Sequence, residues 1–265
     1  MTPPIGVAAT APFGADVLER LAHRHEIAWV LTRPDRPAGR GRRVTAPPAK
    51  LTAKALGVEV RQPERLAPQD VSGVDRVVLV AYGMLVPEQL LASPVWLNVH
   101  PSLLPRWRGA APVERAILAG DRDTGVSIIR LVRELDAGPI AAQRAFPIAD
   151  EDDAGAVFER AAAAAAELLD DVLTAEPLSL REQEGEPTYA EKITADDREL
   201  DLADAEDAVR RVRALSPHIG ARTMLHGRAM TIWRARLQDG AFVPLEVQPD
   251  GGRRMTYDAF LRGLR

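Results

Sequence analysis

One short run constrains this chain most. Arg76–Ala81 reads RVVLVA, β-branched and almost wholly apolar. Such a strand has to be covered on both faces, as a central strand of a parallel sheet is. Strand-like apolar runs recur on either side of it, at Ile5–Ala9, Ile27–Thr32, Val58–Arg61, Trp96–His100, Gly125–Leu131 and Pro139–Phe146. Helical spacing falls between them. In Phe13–His23 the residues Phe13, Val17, Leu18 and Leu21 share one face, and Pro47–Leu56, Pro87–Leu91 and the stretch after Pro112 read similarly. Repeated strand–helix units predict an α/β fold with an open, doubly wound and mostly parallel sheet.

The second half reads differently. Asp153–Leu173 is alanine-rich and helical by propensity alone. Pro177–Pro187 is polar with two prolines and reads as a loop or linker. Glu206–Leu215 is an amphipathic helix, broken at Ser216–Gly220. Thr223–His226, Met230–Leu237 and Phe242–Gln248 are short strand candidates, and Met255–Leu264 a last helix.

Composition excludes several kinds of chemistry. With no cysteine among 265 residues, the chain has no disulfide, thiolate metal site, iron–sulfur cluster or cysteine nucleophile. No apolar run reaches the roughly 18 residues of a spanning helix. MTPPIGVAAT lacks a basic segment ahead of an apolar one, so no secretory signal and no membrane association are expected, and a cytoplasmic location is. The net charge of −4 argues against general coating of nucleic acid, but charge is uneven. Five arginines lie between Arg33 and Arg43 against the lone Asp35, while Asp150–Asp153 is acidic.

Chemistry concentrates in Leu97–Gly109, LNVHPSLLPRWRG. Asn98 and His100 stand two apart at a strand end, so both point to one face. The carboxyl ends of parallel strands are where open α/β sheets bind ligands. Asp136 lies in the Gly- and Pro-containing loop of RELDAGPI. An amide, an imidazole and a carboxylate in one cleft suit acyl transfer: an oxyanion donor, a proton carrier and a group that orients it. Spacing alone leaves other roles open. A strand-end histidine, a turn aspartate and a loop asparagine each have ordinary structural uses.

NVHPSLLPRWRGAAPVERAILAGD resembles the signature of the folate-dependent formyltransferases, most closely of those that act on methionyl-tRNA. The resemblance implies that Asn98, His100 and Asp136 are catalytic. It implies that Ser102, Leu103, Leu104 and Pro105 form the folate-site signature. AYGMLVPEQLL, Ala81–Leu91, resembles the family's pterin-pocket segment, which assigns Tyr82, Gly83, Met84 and Leu85 to the cofactor. TRPDRPAGRGRRVTAPP, Thr32–Pro48, resembles a loop that contacts the tRNA acceptor arm in the family. Arg36, Arg40, Arg42 and Arg43 would there pair with phosphates. Tyr189–Ile193 and Gln248–Leu261 also look like family segments.

The resemblance implies a Rossmann-type, formyltransferase-like catalytic domain over residues 1–180, a linker over 181–204 and a reduced OB-like β domain over 205–265. The expected reaction moves a formyl group from 10-formyltetrahydrofolate, as co-substrate, to the α-amine of methionyl-tRNA, without a metal and in a monomer. The alternatives are a formyltransferase acting on a nucleotide-linked amino sugar, and a non-catalytic folate- or RNA-binding relative. Two features depart from the family. Ala9-Thr10 stands where a Gly-Thr is usual, and only about 45 residues follow Gly220, room for three strands and a helix.

Overall fold

The alternation of strand and helix is realised in the computed structural model, which describes residues 3–38 and 43–264. The chain opens with β1 (Ile5–Ala9), α1 (Pro12–Ala22) and β2 (Ile27–Leu31). Two short strands follow, β3 (Arg36–Ala38) and β4 (Arg43–Thr45), then α2 (Pro48–Ala55), β5 (Glu59–Arg61) and β6 (Arg76–Val80). Next come β7 (Val95–His100), β8 (Arg108–Gly109), α3 (Pro112–Leu118), β9 (Asp123–Arg130), β10 (Ile140–Pro147) and α4 (Ala154–Thr174). The chain ends with β11 (Tyr189–Ala190), α5 (Ala205–Leu215), β12 (Ala221–Leu225), β13 (Arg228–Gln238), β14 (Ala241–Pro249), β15 (Met255–Thr256) and α6 (Tyr257–Arg262). The helix expected at Pro87–Leu91 is one 3-10 turn, Glu88–Leu90.

Seven strands form the main sheet in the order β10-β9-β7-β6-β1-β2-β5. The pairs β1–β2, β1–β6, β2–β5 and β6–β7 are parallel, and β9 joins β7 antiparallel. The apolar run that predicted a two-face-covered strand is β6, where Val77, Val78 and Val80 are buried. The chain winds outward from β1 to β2 and β5, then returns to β6 on the other side. That reversal puts a crevice at the carboxyl ends of β1 and β6. α1 buries the aliphatic Val17, Leu18 and Leu21, and α4 buries the small Ala161, Ala162 and Ala165. Arg76 secures the end of α4 by donating to the carbonyls of Val172, Leu173 and Ala175.

The chain divides into two compact units that do not follow its linear order. One takes residues up to Arg108, Gly125–Ala145 and Glu159–Thr188. The other takes Gly109–Thr124, Phe146–Phe158 and the chain from Tyr189 onward. Residues 181–204, read from the sequence as a linker, are thus shared between them.

The second unit holds the small antiparallel β structure, a four-stranded meander in the order β12-β13-β14-β15. Its two long hairpins turn on His226-Gly227 and Asp239-Gly240, all four residues with positive φ. Two consecutive residues of that kind make the type I′ turn whose twist matches the strands it joins. The fourth strand is one more than expected. Met255 and Thr256 pair with Val247 and Glu246 before the hydroxyl of Thr256 caps α6. The core of this unit draws on distant segments: Val113, Ile117, Ala154 and Val157 join Val212, Leu215, Met230, Ile232, Val247 and Phe260. Among the described residues, no helix is long and apolar enough to cross a membrane.

Candidate active site

β7 carries Asn98 and His100 to the carboxyl end of the sheet, where Asn98 pairs with Leu79 of β6 and with Ile129 of β9. The i, i+2 spacing turns both side chains to one face, and Asp136 meets them there. Asn98 Nδ2 donates to Asp136 Oδ1 at 3.1 Å. His100 Nδ1 lies 3.6 Å from Asp136 Oδ2. All three residues are less than a tenth exposed. On its other side, His100 Nε2 is 2.8 Å from the carbonyl oxygen of Trp107. A carbonyl only accepts, so Nε2 carries the proton, and Nδ1 of the neutral ring is the basic nitrogen. The basic nitrogen therefore faces the carboxylate.

The Asp136 loop is shaped by close approach. Asp136 itself has φ +48. A Cβ on Gly138 would lie 1.8 Å from the carbonyl oxygen of Arg130, so only glycine lets the loop return against β9. Gln183 Nε2 donates to the carbonyls of both Asp136 and Gly138. Neither Gln183 nor the Trp107 carbonyl was singled out from the sequence. A backbone oxygen has no sequence signature, and Gln183 lies in a stretch without apolar periodicity.

Ser102–Pro105 form a turn held from beneath. Ser102 Oγ donates to the Arg106 carbonyl at 2.7 Å. Ser127 Oγ donates to the Ser102 carbonyl and accepts from Leu104 N and from Gln143 Nε2. Ser102 and Leu104 are buried. Their side chains shape the loop, and Leu103 and Pro105 complete it.

At the crevice between β1 and β6, Thr10 Oγ1 donates to the Tyr82 carbonyl at 2.7 Å and accepts from Arg33 N at 3.3 Å. The Ala9-Thr10 turn thus ties the end of β1 to both neighbouring loops. The ring of Tyr82 packs in an apolar cluster with Trp29 and Trp96, and Met84 packs against it. Burial pushes the Tyr82 phenol up to about 12. Leu85 is 93% exposed, and Gly83 has φ +74. The four pterin-segment residues therefore divide: Tyr82 belongs to the core, Leu85 to the surface.

On either side of the arginine-rich stretch, β3 and β4 pair antiparallel. Arg36 is exposed on β3. Arg40 and Arg42 fall outside the described residues, as does the side chain of Arg43, whose backbone begins β4. The stem is anchored at Asp35, which accepts from Lys50 Nζ at 2.7 and 2.8 Å and from Gln62 Nε2 at 2.8 Å. The bonds from Gln62 and Lys50 hold the Asp35 carboxyl below its ordinary range.

The sheet thus brings an amide, an imidazole and a carboxylate together at one end, a set suited to group transfer. A profile described as formyl transferase matches residues 6–173, and one described as formyl transferase, C-terminal domain, matches 192–243. A methionyl-tRNA formyltransferase of Methylococcus capsulatus is 40% identical over 96% of this chain and 94% of its own. The fold is shared with the methionyl-tRNA formyltransferase of Clostridium thermocellum, at TM-score 0.66 and 16% identity, over 93% of this chain and 98% of that one. It is shared also with HypX of Aquifex aeolicus in complex with tetrahydrofolic acid, at TM-score 0.69 and 17% identity; this chain is covered over 98% and spans 47% of that longer protein. The chain belongs to the formyl transferase family.

Proposed function

We propose that this protein transfers the formyl group of 10-formyltetrahydrofolate to the α-amino group of methionyl-tRNA. The observation that carries the reading is the convergence of Asn98, His100 and Asp136, together with near full-length similarity to enzymes of that name. The neutral α-amine attacks the formyl carbon, and the carbonyl electron pair moves onto oxygen. Asn98 Nδ2, already oriented by Asp136, donates its second hydrogen to that oxyanion. His100 Nδ1 takes a proton from the attacking nitrogen, and Asp136 stabilises the resulting imidazolium. The bond from the formyl carbon to N10 of the folate then breaks, and His100 returns the proton to N10. The products are formylmethionyl-tRNA and tetrahydrofolate.

The crevice at the ends of β1 and β6, with the backbone of residues 82–85 and the exposed Leu85 at its edge, is the seat for the folate ring system. The arginine-rich stretch supplies phosphate contacts to the acceptor arm of the tRNA, a partner met in the cytoplasm. The test supplies 10-formyltetrahydrofolate with methionyl-tRNA in one reaction and a nucleotide-linked amino sugar in another. Formyl on methionyl-tRNA is expected; formyl on the sugar alone, or on neither, overturns the reading.

A further inference from the structure

Residues 181–188 hydrogen-bond to both loops that flank the site. Arg181 exchanges two backbone hydrogen bonds with Ile140, at 2.7 and 2.9 Å. Thr188 Oγ1 accepts from Trp107 N at 2.9 Å, its carbonyl accepts from Arg108 N at 2.8 Å, and its own N–H donates to the Pro105 carbonyl at 3.3 Å. The loop whose Trp107 carbonyl fixes His100 and the loop that carries Asp136 therefore rest on one strap.

Gln183 is the point where the strap meets both. Its Nε2 donates to the Asp136 carbonyl at 2.7 Å and to the Gly138 carbonyl at 2.8 Å. Its Oε1 accepts from Arg108 Nε at 3.1 Å and Nη2 at 2.7 Å. Both hydrogens and the oxygen of the amide are thus engaged. Asp136 sits at φ +48, a left-handed conformation that costs a non-glycine residue on the order of 1 kcal/mol or more and persists only when its surroundings impose it. Two donated hydrogen bonds on either side of Ala137 impose it here.

We propose that Gln183 is a positioning residue for the formyl-transfer reaction: it holds Asp136 at its distances from Asn98 and His100 and links that setting, through Arg108, to the loop that orients His100. The inference rests on the formyl-transfer reading for its kinetic readout only. A displacement of about 1 Å at a reacting group lowers turnover by up to about 100-fold. A glutamate at 183 keeps the size of the side chain and its pairing with Arg108, but turns oxygen toward two carbonyl oxygens in place of N–H groups.

The experiment compares Gln183→Glu and Gln183→Ala with the native protein and with Glu184→Gln, an exposed neighbour, below the melting temperature of each. Both Gln183 variants are expected to lose about tenfold or more in kcat with donor KM within about twofold. Amide hydrogen exchange over residues 134–138 is expected to quicken in both, and Glu184→Gln to match the native protein. If the alanine variant does not fold, the glutamate variant carries the test. A native kcat in Gln183→Glu overturns the proposal, as does a loss of kcat that tracks a lowered Tm and vanishes on cooling. Unchanged exchange at 134–138 overturns it independently of any substrate. A native protein that formylates no methionyl-tRNA would instead count against the proposed function, and the exchange comparison would still judge Gln183.

Discussion

The carbonyl oxygen of Trp107 lies 2.8 Å from Nε2 of His100 and decides which ring nitrogen carries the proton. The opposite nitrogen, 3.6 Å from Asp136 Oδ2, is left as the base. The polarity of the site follows from this pair: an amide donor, a basic nitrogen and a carboxylate that gains in stabilising power once the ring is charged.

Removing either strand-end side chain tests this arrangement. His100→Ala is expected to lower kcat by about 10²–10⁴, the span of a general acid–base group. Asn98→Ala is expected to lower it by about 10²–10³, as for a lost oxyanion donor. Circular dichroism should report a folded chain in both. Turnover near the native value in either variant removes that residue from the mechanism.

The arginine-rich stretch is expected to act through charge. Replacing Arg40, Arg42 and Arg43 together with glutamine should weaken tRNA binding and leave the KM for folate unchanged. Each phosphate contact contributes roughly 0.7–0.9 to the dependence of log K on log salt, so the slope should flatten by about two to three. An unaltered slope would mean that these arginines face solvent alone.

Much of this layout was legible in the sequence, and what escaped did so for a physical reason. β6 announces itself because a strand covered on both faces is apolar at nearly every position, and Asn98 and His100 share a face because strand geometry has a period of two. Gln183 and Thr188 act through hydrogen bonds to distant backbone groups, which leave no periodicity, so the strap reads as a polar connection. Ser102, singled out by its motif, also braces the Arg106 carbonyl, a local role that the motif does not announce. The sharing of residues 109–124 with the C-terminal unit arises from packing between segments far apart in sequence.

Acid should loosen the second unit at a defined place. Asp197 accepts from Arg115 Nη1 at 2.8 Å and Nη2 at 2.9 Å, and from Thr194. Arg115 foremost, then Thr194, lowers its carboxyl to about 2. Because the folded value lies below the ordinary 3.8, this stabilisation is present above about pH 4 and disappears as pH falls toward 2. Native protein should therefore lose Tm more steeply over that window than Asp197→Asn, which lacks the titrating group. Parallel curves would assign the acid sensitivity elsewhere.

The C-terminal strands are not expected to be dispensable. Ending the chain before Ala221 removes Met230, Ile232, Val247 and Phe260 from the core they share with Val113, Ile117, Ala154 and Val157. Burial of each such large apolar side chain is worth about 1.5–3 kcal/mol, so the truncated protein should bind a hydrophobic dye and lose its near-ultraviolet circular dichroism. A truncation that melts cooperatively at the native temperature would show that the strands contribute no core.

That shared core also sets an order of events on the ribosome. Val113 and Ile117 are made early, and their partners Val247 and Phe260 come near the end of the chain. At roughly 5–20 residues per second, about 7–30 s separates the synthesis of Val113 from that of Phe260. Over that interval the apolar face of α3 gains cover in stages, from Ala154 and Val157, then Val212 and Leu215, and last from Val247 and Phe260. The nascent protein should therefore need shielding longest at a segment from its middle, and stalled chains ending before β13 should be the ones a holdase retains.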